Sequence, residues 1–115
     1  MSDNTLNTLK GLTDLLNRSR NAYLKYHSNN SRYKYAKKLR IINNEIFMHI
    51  EKMEVREDSE LTEAIIELKE HLEQWFLLWD EKSKSKNFLD KEKFVFTGYK
   101  SYPKKLDELL ISRLK

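Results

Sequence analysis

Apolar residues recur at steps of three and four along most of this chain, and this spacing is the feature that most limits its fold. In the first stretch the series is Leu6, Leu9, Leu12, Leu16 and Tyr23. Such a period places the side chains on one face of an α-helix. An all-β fold needs many turn residues, whereas the 115 residues include only two Gly and one Pro. The spacing therefore predicts an all-α protein.

Three long helices are predicted, over about residues 3–27, 32–55 and 59–82, with short polar breaks between them. Gly11 either weakens the first helix by about 1 kcal/mol relative to Ala or marks a close helix crossing. Short connections favour antiparallel neighbours. We therefore expect one domain over residues 1–115, an up-and-down antiparallel helical bundle of three long helices and a shorter C-terminal helical segment. The second and third apolar series are Tyr35, Leu39, Ile42, Ile46, Ile50 and Met53, then Leu61, Ile65, Leu68, Leu72, Trp75 and Trp79.

The chain after the third helix has a less regular pattern, and residues 82–102 are expected to be irregular or flexible. Within them we favour a short helix from Phe88 to Phe96 that ends near Gly98. The alternative is an extended segment over residues 94–97. Pro103 suits the first turn of a last helix, because its missing N–H group needs no partner there.

The charges are segregated along the chain, although the net charge is only +4. Residues 1–44 contain nine Lys and Arg against two Asp and Glu, residues 45–81 contain three against twelve, and residues 82–115 contain ten against four. One interpretation is that acidic and basic helix faces lie side by side within the bundle, where exposed pairs contribute little. The other is that separate faces steer a charged partner, or a second copy of the chain.

The run Trp75-Phe76-Leu77-Leu78-Trp79 is apolar around the whole helix, and such a helix is buried or contacts a partner. Either the aromatic tail of the chain folds over it, or Phe76, Leu77, Leu78 and Trp79 form a partner-binding surface. Our main prediction is a small non-enzymatic protein-binding bundle, a regulator, inhibitor, immunity or chaperone-like factor. It would act by stoichiometric association with a protein partner or with itself, as a homo-oligomer.

The alternative prediction is a nucleic-acid-binding accessory protein that uses the basic face of the second helix. Cationic side chains release counterions from phosphates, and neighbouring Tyr rings stack on exposed bases. Helical spacing also turns some of the nearby Tyr residues toward the core. The interpretation that we favour for this pattern is a solvated basic face. The candidate residues are Arg32, Lys34, Lys37, Lys38 and Arg40.

Sites for catalysis, metals or cofactors are not expected. The chain has no Cys, no phosphate-binding Gly-rich loop and no nucleophile elbow. The pairs Glu45–His49 and Glu67–His71 have a spacing common for surface pairs on helices, and they differ from the Glu-x-x-His spacing of di-iron bundles. No apolar run is long enough for a membrane span and the N-terminus lacks signal-peptide features, so a cytoplasmic location is the default expectation.

Overall fold

The computed structural model describes residues 3–53 and 58–115. It has four helices, α1 (Asp3–Ser28), α2 (Tyr33–Glu51), α3 (Ser59–Lys84) and α4 (Lys104–Arg113). They form a bundle of 47 × 22 × 21 Å. The predicted all-α fold, with three long helices and a shorter C-terminal one, is confirmed. The second helix ends at Glu51 rather than near residue 55, and residues 54–57 lie outside the described part.

Contacts between the helices show that successive helices run antiparallel. His49 near the end of α2 contacts Thr8 near the start of α1, whereas Asn43, earlier in α2, contacts Ser19. Arg113 at the end of α4 pairs with Asp58, which caps the start of α3 by accepting a hydrogen bond from the Leu61 N–H. The bond from Leu61 satisfies one of the free backbone donors at the start of α3, and the ion pair places the end of α4 beside it.

The interior has two parts, because α4 covers only the first half of α3. The first part is aliphatic and lies where all four helices meet. The second part is aromatic and lies beneath the segment that joins α3 to α4. The buried members of the aliphatic core include Leu9, Leu12, Leu16, Ile46, Ile50, Leu61, Leu68, Leu72, Leu106 and Leu110, and those of the aromatic core are Ala36, Leu39, Trp75, Trp79 and Phe94.

The predicted short helix from Phe88 to Phe96 is wrong, because these residues form no helix and Lys93 makes an isolated antiparallel bridge with Arg32. The reason lies at the start of α2, where Arg32 gives no side-chain cap. The free Tyr33 and Lys34 N–H groups instead donate to the carbonyls of Glu92 and Asp90, at 2.8 and 3.0 Å. In a helix over residues 88–96, those carbonyls would accept hydrogen bonds from N–H groups of the same helix. The segment instead caps the start of α2 and does not form a helix.

Candidate functional site

The predicted aromatic surface of α3 is divided between the interior and the outside. Trp79 is only 5% exposed, and its ring centre lies 4.3 Å from that of Phe94. Trp75 is also buried, with its ring 5.4 Å from that of Phe96. The C-terminal segment therefore folds over both tryptophans, and Trp79 belongs to the core rather than to an exposed patch.

The other three residues of that surface differ from one another. Phe76 is half-buried and meets Phe47 of α2 edge-on, with ring centres 6.1 Å apart. Leu78 is half-buried too, whereas Leu77 is 65% exposed. Only Leu77 of the four is freely available to a partner.

Four of the five residues on the predicted basic face are exposed as expected, whereas Arg40 is half-buried. Its guanidinium lies 5.5 Å from the ring of Phe76 and 5.6 Å from that of Trp79, in the seam between α2 and α3. Lys37 pairs with Asp90 at 2.7 Å. Arg32, Lys34 and Lys38 are the outward cations that remain in this set.

The two Glu–His pairs do not converge on a metal site. His49 points its Nε2 at the Thr8 carbonyl, 2.9 Å away, and packs on Gly11 of α1. His71 instead contacts the segment after α3 through Tyr99, Tyr102 and Lys100. Within residues 3–53 and 58–115 no group of three or more His, Asp or Glu side chains is placed to hold a metal ion.

A cavity of about 450 Å³ opens between α1, α2, α3 and residues 99–107, and no pattern in the sequence predicted it. This volume falls in the range of ligand pockets in proteins. Its walls combine aromatic, aliphatic and hydrogen-bonding side chains. They are Leu16, Ser19, Arg20, Tyr23, Leu39, Asn43, His71, Trp75, Tyr99, Ser101, Tyr102 and Asp107.

Asn43 is the one buried polar residue of the described core, with 6% of its surface exposed. Its Oδ1 accepts a hydrogen bond from the Ser19 hydroxyl at 2.8 Å. The Asn43 amide nitrogen has no hydrogen-bond partner among the described residues, yet it escapes full burial. Because Asn43 lines the cavity, this amide is a donor available there to a ligand.

The charged groups of the cavity are engaged with each other. Arg20 pairs with Asp107 at 2.9 Å, and the Tyr102 hydroxyl donates to the second oxygen of the same carboxylate, also at 2.9 Å. Burial, and then the bond to Asp107, raise the pKa of Tyr102. The ionic groups therefore neutralise one another and brace α1 against α4.

His71 holds the C-terminal segment on α3 as an uncharged ring. Its Nδ1 lies 2.5 Å from the carbonyl oxygen of Lys100, and a carbonyl only accepts, so Nδ1 carries the proton. Burial lowers the pKa of His71, partly opposed by that hydrogen bond. At neutral pH the imidazole is neutral, and its Nε2 is an acceptor.

A second cavity of about 260 Å³ adjoins the first, and the two share Tyr23, Leu39, Trp75 and Tyr99 as walls. It runs between the end of α1 and residues 94–99 and is lined chiefly by aromatic rings. We call the two cavities together the α1 groove. Tyr23 stands at its rim, 47% exposed.

The α1 groove lies between the two basic parts of the chain. Apart from α3, its walls come from α1, from residues 31–43 and from residues 94–107, which belong to the stretches 1–44 and 82–115 where Lys and Arg outnumber Asp and Glu. The acidic helix α3 contributes only His71, Trp75 and Trp79 to the lining.

Comparisons with protein-family models, with curated proteins and with solved structures all give no match to this chain. In the described part of the chain, no helix is both long and apolar enough to cross a membrane. Any functional interpretation therefore depends on the geometry of the bundle.

Proposed function

We propose that this protein is a non-enzymatic binding protein that associates stoichiometrically with a partner protein by accepting a segment of it in the α1 groove. The observation that supports this proposal is a pair of adjoining cavities, about 450 and 260 Å³ in volume, that share walls of Tyr and Trp rings. Aromatic side chains supply much of the binding energy of protein interfaces, since they bury large areas at little entropic cost.

The charge layout favours an acidic segment. Both flanks of the α1 groove belong to stretches with an excess of Lys and Arg, whereas the lining pair Arg20–Asp107 neutralises itself. Complementary charge speeds encounter and rejects wrong partners more than it adds affinity. The groove itself thus takes apolar and aromatic side chains, and the surrounding charge selects a partner with Asp and Glu nearby.

A binding role also fits the hydrogen bonds of the lining. Arg20, Tyr102 and Asp107 are held to each other, and the His71 Nδ1 is held by a backbone carbonyl. These contacts shape a wall and fix the segment after α3. They support occupation of the groove rather than turnover of a substrate.

A displayed library of random peptides tests the proposal, because it samples segments of every composition at once. We expect enrichment of peptides in which an aromatic residue is flanked by Asp or Glu. Tyr23→Ala should weaken the best peptide about tenfold or more, because a hot-spot aromatic is lost. Leu77→Ala, at a more exposed apolar residue outside the groove, is the matched control and should leave affinity unchanged.

Two results would contradict this proposal. One is a library that yields no enriched peptide. The other is an enriched peptide whose binding depends on Leu77 and is indifferent to Tyr23. In that second case the outer face of α3, which the apolar run of its sequence indicates, would be the interface. Light scattering of the free protein distinguishes self-association from binding of another protein. A dimer that becomes monomeric in Leu77→Asp would place a second copy of the chain on that face.

A nucleic-acid role is the second candidate, favoured by a ring placed between cations at the start of α2. The Lys34 and Lys38 Nζ atoms lie 5.9 and 5.7 Å from the centre of the Tyr35 ring. If this face binds nucleic acid, affinity should fall with salt by about one log–log unit per phosphate contact. The double variant Lys34→Glu/Lys38→Glu should abolish such binding and leave peptide binding intact. Flat salt dependence would remove this candidate.

A further inference from the structure

Beneath the rim of the α1 groove, the 450 Å³ cavity has the features of a site for one aromatic ring. A dry cavity of about 150 Å³ holds a benzene molecule, so this one has room for a ring and for water at its mouth. Leu16, Leu39 and Trp75 form apolar walls, and Tyr23 and Tyr99 stand beside them. Apolar and aromatic walls with a few polar groups are the usual lining of ligand sites.

The polar groups of the cavity indicate which ring fits it. The Asn43 Oδ1 accepts the hydrogen bond from Ser19. The amide N–H groups of Asn43, a residue that is only 6% exposed, have no acceptor among the described residues. A donor without a protein partner at the wall of a cavity favours a ligand that brings an acceptor. His71 adds the opposite group, because its Nδ1–H is held by the Lys100 carbonyl and its Nε2 is left to accept.

We propose that this cavity receives the phenol ring of a tyrosine in the bound acidic segment, with the phenol oxygen hydrogen-bonded to the Asn43 amide. A phenol oxygen accepts and its O–H donates, whereas an indole N–H only donates and a phenyl ring does neither. A hydroxyl carries both the acceptor that the Asn43 amide lacks and the donor that the His71 Nε2 lacks. This inference rests on the proposed function for the origin of the ring, but the cavity's preference can be measured without a partner.

The test uses small-molecule analogues of side chains: p-cresol for tyrosine, toluene for phenylalanine and 3-methylindole for tryptophan. Each is titrated into the ¹⁵N-labelled full chain, and the amide signals of Asn43 and the indole signal of Trp75 are followed. We expect p-cresol to bind about fivefold to tenfold more tightly than toluene, which corresponds to one net hydrogen bond. Equal binding of p-cresol and toluene, or tighter binding of 3-methylindole, would overturn the proposal.

Two variants keep the test decisive. Asn43→Leu keeps a side chain of similar size and removes the amide, so p-cresol should bind only as well as toluene. If this variant does not fold, Ser101→Phe replaces it, since Ser101 is exposed at the cavity mouth and a ring there fills the site. Loss of p-cresol binding in Ser101→Phe supports the site, and unchanged binding excludes it. Leu77→Asp is the control and should bind like the native chain.

The tyrosine-pocket proposal and the protein-binding proposal can be contradicted separately. If p-cresol does not bind while acidic aromatic peptides do, the proposed function stands and the tyrosine pocket is wrong. If p-cresol binds in the predicted order but the library yields no peptide, the pocket stands and the protein-binding proposal fails. Enriched peptides that carry Trp or Phe but no Tyr would also contradict the phenol preference.

Discussion

Trp79 and Leu77 are two positions apart on α3, yet they occupy opposite environments, and this makes them a matched pair for mutation. Trp79→Ala removes a ring from the centre of the aromatic core and should lower the free energy of unfolding by about 3–5 kcal/mol. Leu77→Asp changes a 65% exposed side chain and should alter it by less than about 0.5 kcal/mol. Urea denaturation of both variants measures this. A large loss for Leu77→Asp would mean that Leu77 is covered.

Asp58 carries two tasks, as the N-cap of α3 and as the partner of Arg113. The hydrogen bonds from Arg113, ahead of the one from the Leu61 N–H, hold the pKa of Asp58 below its ordinary value. Asp58→Ala should therefore destabilise the fold by about 0.5–2 kcal/mol, the range for a lost cap. Asp58→Asn keeps the cap acceptor and loses only the charge.

The pH dependence separates the two tasks of Asp58. Because its folded pKa is lowered, the stabilisation by its charge is complete above the unfolded pKa, about 3.9, and is lost as pH falls through the folded pKa. The native chain should exceed Asp58→Asn in stability at pH 6 and converge with it in strong acid. Chemical denaturation across this range measures the difference. A gap that does not change with pH would contradict the role of the charge.

At the scale of elements, Gly11 marks a close crossing of α1 and α2, which is one of the two interpretations that its place in the helical pattern allows. A Cβ built at Gly11 would lie 3.0 Å from Cε1 of His49, whose ring is held by the Thr8 carbonyl. In a His49→Ala background, Gly11→Ala should stabilise the fold by about 1 kcal/mol through helix propensity. In the native background His49 should cancel that gain. Thermal unfolding of the four chains gives the coupling, and equal effects in both backgrounds would refute it.

The segment between α3 and α4 shows why local pattern failed at this element. Phe88, Phe94 and Phe96 are separated by six and by two positions, so their spacing alone does not favour a helix. The decision comes from α2, whose N–H groups need the Glu92 and Asp90 carbonyls, and from the Tyr26 hydroxyl, which donates to the Phe94 carbonyl. Those partners are distant in the sequence, so a pattern within residues 88–96 cannot indicate them.

Over the whole molecule, the helices and the aliphatic core followed from the apolar period, and the α1 groove did not. A groove forms where four elements fail to meet completely, and no single stretch of sequence contains that gap. One local sign was present. Asn43 stands on the inner stripe of α2 between Leu39 and Ile46, where an apolar residue is expected. A polar residue on a buried stripe indicates a hydrogen-bonded partner or a cavity.

The charge segregation also has a consequence only at the scale of the molecule. Ion pairs join acidic and basic elements among the described residues, and they include Lys100–Glu70, Arg18–Glu45 and Arg113–Asp58. Acidic and basic elements therefore do lie side by side, as one interpretation of the sequence expected. Exposed pairs of this kind contribute little to stability, so the layout discriminates between helix arrangements more than it stabilises the fold.

Residues 94–102 fold over Trp75 and Trp79, and this covering gives the α1 groove its outer wall. Nuclear Overhauser effects between aromatic rings test the covering most directly. We expect cross-peaks between the rings of Trp79 and Phe94, whose centres are 4.3 Å apart, and between those of Trp75 and Phe96, at 5.4 Å. Absence of both cross-peaks, together with random-coil shifts for residues 88–102, would contradict this arrangement, because the tryptophans would then be open and the groove would have no outer wall.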